Sequence, residues 1–157
     1  MYHDHVNPRV VVTLASAALL ISNGVPVSAQ EAAAERIVVR SADAPLDWGP
    51  CPDFMPAGCG LAVLHGDPSK PNADVFFRVP AGSSLPVHWH TSAERMVLVA
   101  GELRVSFEGQ EAVVLRPGTY AYGPPKRPHG GACVSAGPCI LFIAFEGPVD
   151  ALPGNGR

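Results

Sequence analysis

Four residues in this chain have the types and spacing to do directed chemistry: His88, His90, Glu94 and His129. In a strand, residues two apart share a face, so His88 and His90 point the same way while Trp89 points to the other. Two imidazoles on one face can chelate one ion. A short turn then brings Glu94 alongside on the next strand, where its carboxylate adds a hard oxygen. His129 follows Pro128, and its separation from Glu94 suits a strand, a hairpin and a returning strand. Three neutral imidazoles and one carboxylate leave a divalent ion near a net charge of about +1, with positions open for water or a bidentate substrate. Mn and Fe fit such a site. Zn, Ni and Cu also bind imidazole well, so the cofactor expected is one divalent metal ion, its identity not distinguished among the five.

The elements that must position these residues read as strands. Arg36 to Arg40 is a β-branched run, and Leu61 to His65 is another, closed by Gly66-Asp67-Pro68. Strand patterns follow over Asp74 to Val79, Glu94 to Ala100, Glu102 to Phe107, Glu111 to Leu115 and Gly118 to Tyr122. Ile140 to Phe145 is nearly all apolar, which predicts a central strand. Short strands with frequent Gly and Pro turns indicate a sandwich or barrel, and no stretch after residue 36 sustains a helical period. Phe76, Phe77, Phe107, Phe142 and Phe145 are expected in the core or lining the barrel. Trp89 is read as packing, and His65, which has no ligand-like company, as structural. Tyr120 and Tyr122 share one face and are candidates to reach the pocket, with a bland wall position the favoured reading. Arg78 is a candidate for pairing a substrate carboxylate, or a rim residue.

Composition narrows the class. The chain has 157 residues, 47% hydrophobic and 16% charged, which suits one globular domain with a real core. Its 11 basic and 14 acidic residues give a net charge of −3, and no basic run exceeds Lys126-Arg127. Nothing here matches the basic footprint of a nucleic-acid binder.

The N-terminus reads as an export signal. Arg9 precedes an uncharged apolar run from Val10 to Ile21, and Val27-Ser28-Ala29 ends in small residues. The run has the length of a signal core and is too short to span a bilayer, so cleavage is expected after Ala29 and no stable membrane insertion after it. A buried or anchoring N-terminal helix is the alternative. His3-Asp4-His5 falls in the segment to be removed. The expected location is periplasmic or secreted. Four cysteines in an exported chain, Cys51, Cys59, Cys133 and Cys139, suggest disulfides. Three pairings are open. Cys51–Cys59 and Cys133–Cys139 are favoured because each closes a short segment rich in Pro or Gly, the second read as a hairpin loop.

The stretch around the first histidines resembles the cupin superfamily, specifically small exported single-domain cupins of the cupin-2 type. The family's first motif is Gly, five residues, His-x-His, three or four residues, Glu, six residues, Gly. Here Gly82, His88, His90, Glu94 and Gly101 match every position. In the second motif Gly118, Pro124 and His129 match, while Lys126 stands for the usual Gly and Cys133 for the usual Asn. The resemblance covers residues 61–146 and implies a single all-β cupin barrel, a double-stranded β-helix or jelly roll. It also implies metal ligation by His88, His90, Glu94 and His129, a small-molecule ligand or substrate, and admits a homodimer. The organisation expected is a signal peptide over 1–29, an N-terminal extension and disulfide-stapled loop over 30–60, the barrel over 61–148 and a tail over 149–157. Two function classes follow. One is a cell-envelope metalloenzyme acting on a small oxygenated molecule by dioxygenase (oxidoreductase), decarboxylase, lyase or isomerase chemistry. The alternative is a non-catalytic cupin that binds or senses a small ligand or metal ion. No catalytic residue beyond the ligands is assigned.

Overall fold

The structure, a computed structural model, describes residues 40–154. The leader expected over 1–29, and all but the last residue of the strand expected over 36–40, lie outside the described residues. Among the described residues there is no helix, and none long and apolar enough to cross a membrane.

Eleven strands form two antiparallel sheets. In chain order they are β1 (Gly49–Pro50), β2 (Gly60–His65), β3 (Asp74–Val79), β4 (Ser84–Trp89), β5 (Glu94–Ala100), β6 (Leu103–Phe107), β7 (Val113–Leu115), β8 (Tyr120–Gly123), β9 (His129–Cys133), β10 (Cys139–Phe145) and β11 (Leu152–Pro153). One sheet runs β1-β2-β3-β10-β5-β8, the other β11-β4-β9-β6-β7. No strand belongs to both sheets. They face each other as a jelly roll and do not close into one hydrogen-bonded cylinder.

The core lies between them. Met96 and Leu98 of β5 alternate inward, as do Leu103, Val105 and Phe107 of β6, and Leu141, Ile143 and Phe145 of β10 join the same cluster. The other face of β10 is covered too. Ile140 and Phe142 pack with Phe76, Ala62 and the preceding residues Ala42, Leu46 and Trp48. A strand buried on both faces reads as a continuous apolar run, which is why β10 lacks alternation and sits centrally between β3 and β5.

Two disulfides join Cys51 to Cys59 and Cys133 to Cys139. The second does not close a hairpin. Cys133 ends β9 in one sheet and Cys139 begins β10 in the other, so the link ties the two sheets together.

Candidate metal centre

His88 and His129 stand opposite each other in the β4–β9 ladder. Leu85 and His88 both face the interior, although a spacing of three would put them on opposite faces of a regular strand. The β4–β9 register shifts between Leu85 and His88, and this irregularity re-aims the imidazole inward. His90 follows the end of β4, and Glu94 opens β5. The ligand nitrogens of His88, His90 and His129 lie within 4.8 Å of one another. Glu94 Oε1 is 3.2 Å from His129 Nε2, and Oε2 is 3.5 Å from His90 Nε2.

Each imidazole is oriented from behind by a backbone carbonyl. His88 Nδ1 donates to Pro86 O at 2.8 Å, and His129 Nδ1 donates to Arg127 O at 3.0 Å. His90 Nδ1 donates to Asp150 O. A neutral imidazole that donates through Nδ1 presents a bare lone pair at Nε2, the arrangement found behind metal-ligating histidines. Burial favours the neutral form of all three. It lowers His88 to about 4, and lowers His129 to about 3 with help from the His88 charge. His90 is also lowered by burial, against the opposing pull of Asp150.

Glu94 is only 2% exposed, and its Oε1 is a buried oxygen with no hydrogen-bond partner. With their protons on Nδ1, the nearby Nε2 atoms have nothing to donate to the ionised carboxylate. Burial raises the carboxyl to about 8. Lone pairs of three nitrogens and an orphaned carboxylate oxygen therefore converge, and a cation among them is what such a donor set fits. Borderline nitrogen donors plus one carboxylate suit a divalent transition metal.

A cavity of about 210 Å³ adjoins the four residues. Leu61, Phe77, Leu85, Met96, Leu103, Val105, Leu141 and Ile143 line it from the two sheets. Pro50, Cys51, Pro52 and Met55 contribute from the stapled loop, and Val149, Asp150 and Ala151 from the chain's end.

The other candidates lie elsewhere. Arg78 is not among the lining residues, and its guanidinium stacks 4.3 Å from the centre of the Trp48 ring on the other side of the sheet. Tyr120 and Tyr122 are 59% and 49% exposed and border an outer groove with Val113 and Arg127. Two positioning residues carried no signal in the sequence. Gly123 leaves room for the Glu94 carboxylate. Asp150, in the segment read as a tail, receives the His90 proton on its carbonyl, while its carboxylate takes the amide and hydroxyl of Thr91 at 3.0 and 2.6 Å.

The family description "Cupin domain" matches residues 75–145, the span holding all four candidate ligands. The chain carries a cupin domain. Solved structures share its architecture. DMSP lyase DddQ from Ruegeria pomeroyi DSS-3 superposes with a TM-score of 0.61 at 21% identity, over 71% of this chain and 62% of that one. The polyketide cyclase RemF from Streptomyces resistomycificus gives 0.60 at 17% identity, over 74% and 85%. KdgF from Halomonas sp. gives 0.53 at 20% identity, over 64% and 87%. The chain thus spans 62% of the length of that DMSP lyase, and these identities establish a common fold alone. A comparison with curated proteins gives no match.

Within this cupin the second-motif departures have local explanations. Lys126 takes the left-handed conformation (φ 60°) that glycine supplies more easily, and its amide donates to His90 O at 2.8 Å. Cys133 spends its side chain on the link to Cys139.

Proposed function

We propose that this cupin holds one divalent metal ion through His88, His90, Glu94 and His129 and acts as a metalloenzyme on a small oxygenated molecule. Dioxygenase, decarboxylase, lyase and isomerase chemistry all fall within this reading. The observation that carries it is the cluster of three buried imidazoles beside the Glu94 carboxylate, 3.2 Å from His129 Nε2 and 3.5 Å from His90 Nε2, whose Oε1 is buried without a hydrogen-bond partner. When bound, the ion supplies Lewis acidity or oxygen activation at its open positions. The chain's own contribution is positional. The three carbonyls fix the imidazole tautomers, the apolar walls exclude water, and Glu94 provides the single anion.

A non-catalytic binding role is the second reading, and one observation favours it. Beyond the four candidate ligands, Asp150 is the only acid or base among the described residues that line the cavity, and its carboxylate is taken by Thr91. Metal analysis of natively purified protein, followed by diols, keto acids and sugar acids with oxygen uptake recorded, separates the two. Turnover that scales with metal content supports the enzyme; a tightly held metal with no turnover supports the binder.

The proposal also places the mature chain, beginning at Gln30, in an oxidising compartment of the cell envelope. The two disulfides support this. N-terminal sequencing of exported protein tests it, and solution mass tests the homodimer.

A further inference from the structure

The cavity beside the four candidate ligands has an uneven inventory of polar groups. Among the described residues, no Lys, Arg, Ser, Thr, Tyr, Asn or Gln side chain lines it. Its polar side chains are the three imidazoles, Glu94 and Asp150. Asp150 is already engaged with Thr91, and each imidazole Nδ1 with a backbone carbonyl. The Arg78 guanidinium is held against Trp48 outside the cavity. Among the side chains of the described residues, a ligand therefore finds polar partners only where the metal would sit.

Resting on the metal reading, we propose that the ligand is a small molecule with one bidentate oxygen head, of at most one negative charge, on an uncharged apolar body about the size of a single ring. The charge limit follows from the donor set. A divalent ion with Glu94 carries about +1, so one anionic head neutralises it. A second carboxylate, a phosphate or an ammonium group elsewhere on the ligand would be buried against Leu, Val, Ile and Phe without a partner. A polyhydroxylated body would strand its hydroxyls in the same way. The size limit follows from the volume. An apolar cavity of about 150 Å³ takes up benzene, and this one measures about 210 Å³. Leu85, Leu103, Leu141 and Ile143 supply the apolar contact.

Three weak chelators that share a 2-hydroxycarboxylate head separate the possibilities: mandelate with a phenyl body, malate with a second carboxylate, and gluconate with a polyol body. Calorimetric titration of the metal-loaded protein, with metal content measured before and after, should find mandelate bound at least about tenfold more tightly than the other two. The comparison is severe, because malate and gluconate can offer a free ion more oxygen ligands than mandelate. Equal or tighter binding of malate or gluconate by protein that holds its metal overturns the ligand class and leaves the metal site standing. Protein that takes up no metal overturns the site, and the ligand class with it.

Discussion

The Glu94 carboxylate occupies the space where a side chain at position 123 would begin. A Cβ on Gly123 would lie 2.6 Å from Glu94 Oε1 and 2.7 Å from its Cγ. The two residues are paired across β5 and β8, so neither backbone can move away without breaking the ladder. Gly123→Ala should therefore push the carboxylate out of the cluster while leaving the sheets intact. Metal affinity should fall on the order of 10–100-fold, as for other residues that orient a ligand. Isothermal titration with Mn²⁺ or Zn²⁺ checks this; an unchanged affinity would mean that Glu94 is not a ligand or that the loop has room to spare.

Metal uptake should be coupled to proton release from Glu94. Its carboxyl is raised to about 8 by burial in the metal-free protein, so at about pH 6.5 it is protonated and the ion must displace that proton. His88 and His129, lowered to about 4 and about 3, are already neutral at that pH and release none. The expectation is about one proton per ion near pH 6.5, falling toward zero above pH 8. Calorimetry in buffers of different ionisation enthalpy measures it. Glu94→Gln should abolish the release and weaken binding.

How much of this was legible in the sequence depends on parity. His88 and His90 announce themselves because a two-residue step keeps both on one face, and Glu94 follows at a turn's distance. Most strands were visible from their alternation, and β10 from its lack of it. Parity also explains what was not legible. Tyr120 and Tyr122 share a face, but nothing local says that the face is the outer one. Phe76 and Phe77 are both apolar, so β3 gives no sign that Phe77 turns to the cavity and Arg78 away from it. The strands β1 and β11 are two residues each and exist only because a neighbour offers a free edge. Asp150 acts through a carbonyl that every residue possesses, so its identity carried no sign of the role.

That role can be tested from the side chain. The Asp150 carboxylate holds the Thr91 amide and hydroxyl, and so fixes the segment whose carbonyl receives the His90 proton. Asp150→Ala should loosen His90 and weaken metal binding by about tenfold. Thr91→Val removes only the hydroxyl and should have a smaller effect. Equal, negligible effects of both would show that His90 is held by the strand alone.

Lys126 should be replaceable with profit. It is exposed and left-handed, a conformation that costs a side-chain-bearing residue roughly 1–2 kcal/mol. Lys126→Gly relieves that cost, partly offset by the greater freedom of glycine in the unfolded chain, for a net gain of about 0.5–1 kcal/mol. The melting temperature should rise by a few degrees. A fall would indicate that the lysine side chain makes a stabilising contact.

The central claim is that His88, His90, Glu94 and His129 together hold one ion. The direct measurement is metal content per chain, by elemental analysis, of the natively purified protein and of His90→Ala and His129→Ala prepared alongside it. About one equivalent of a divalent metal in the parent and a large loss in both variants, with strand content unchanged by circular dichroism, is the predicted result. A full equivalent retained by both folded variants would contradict it.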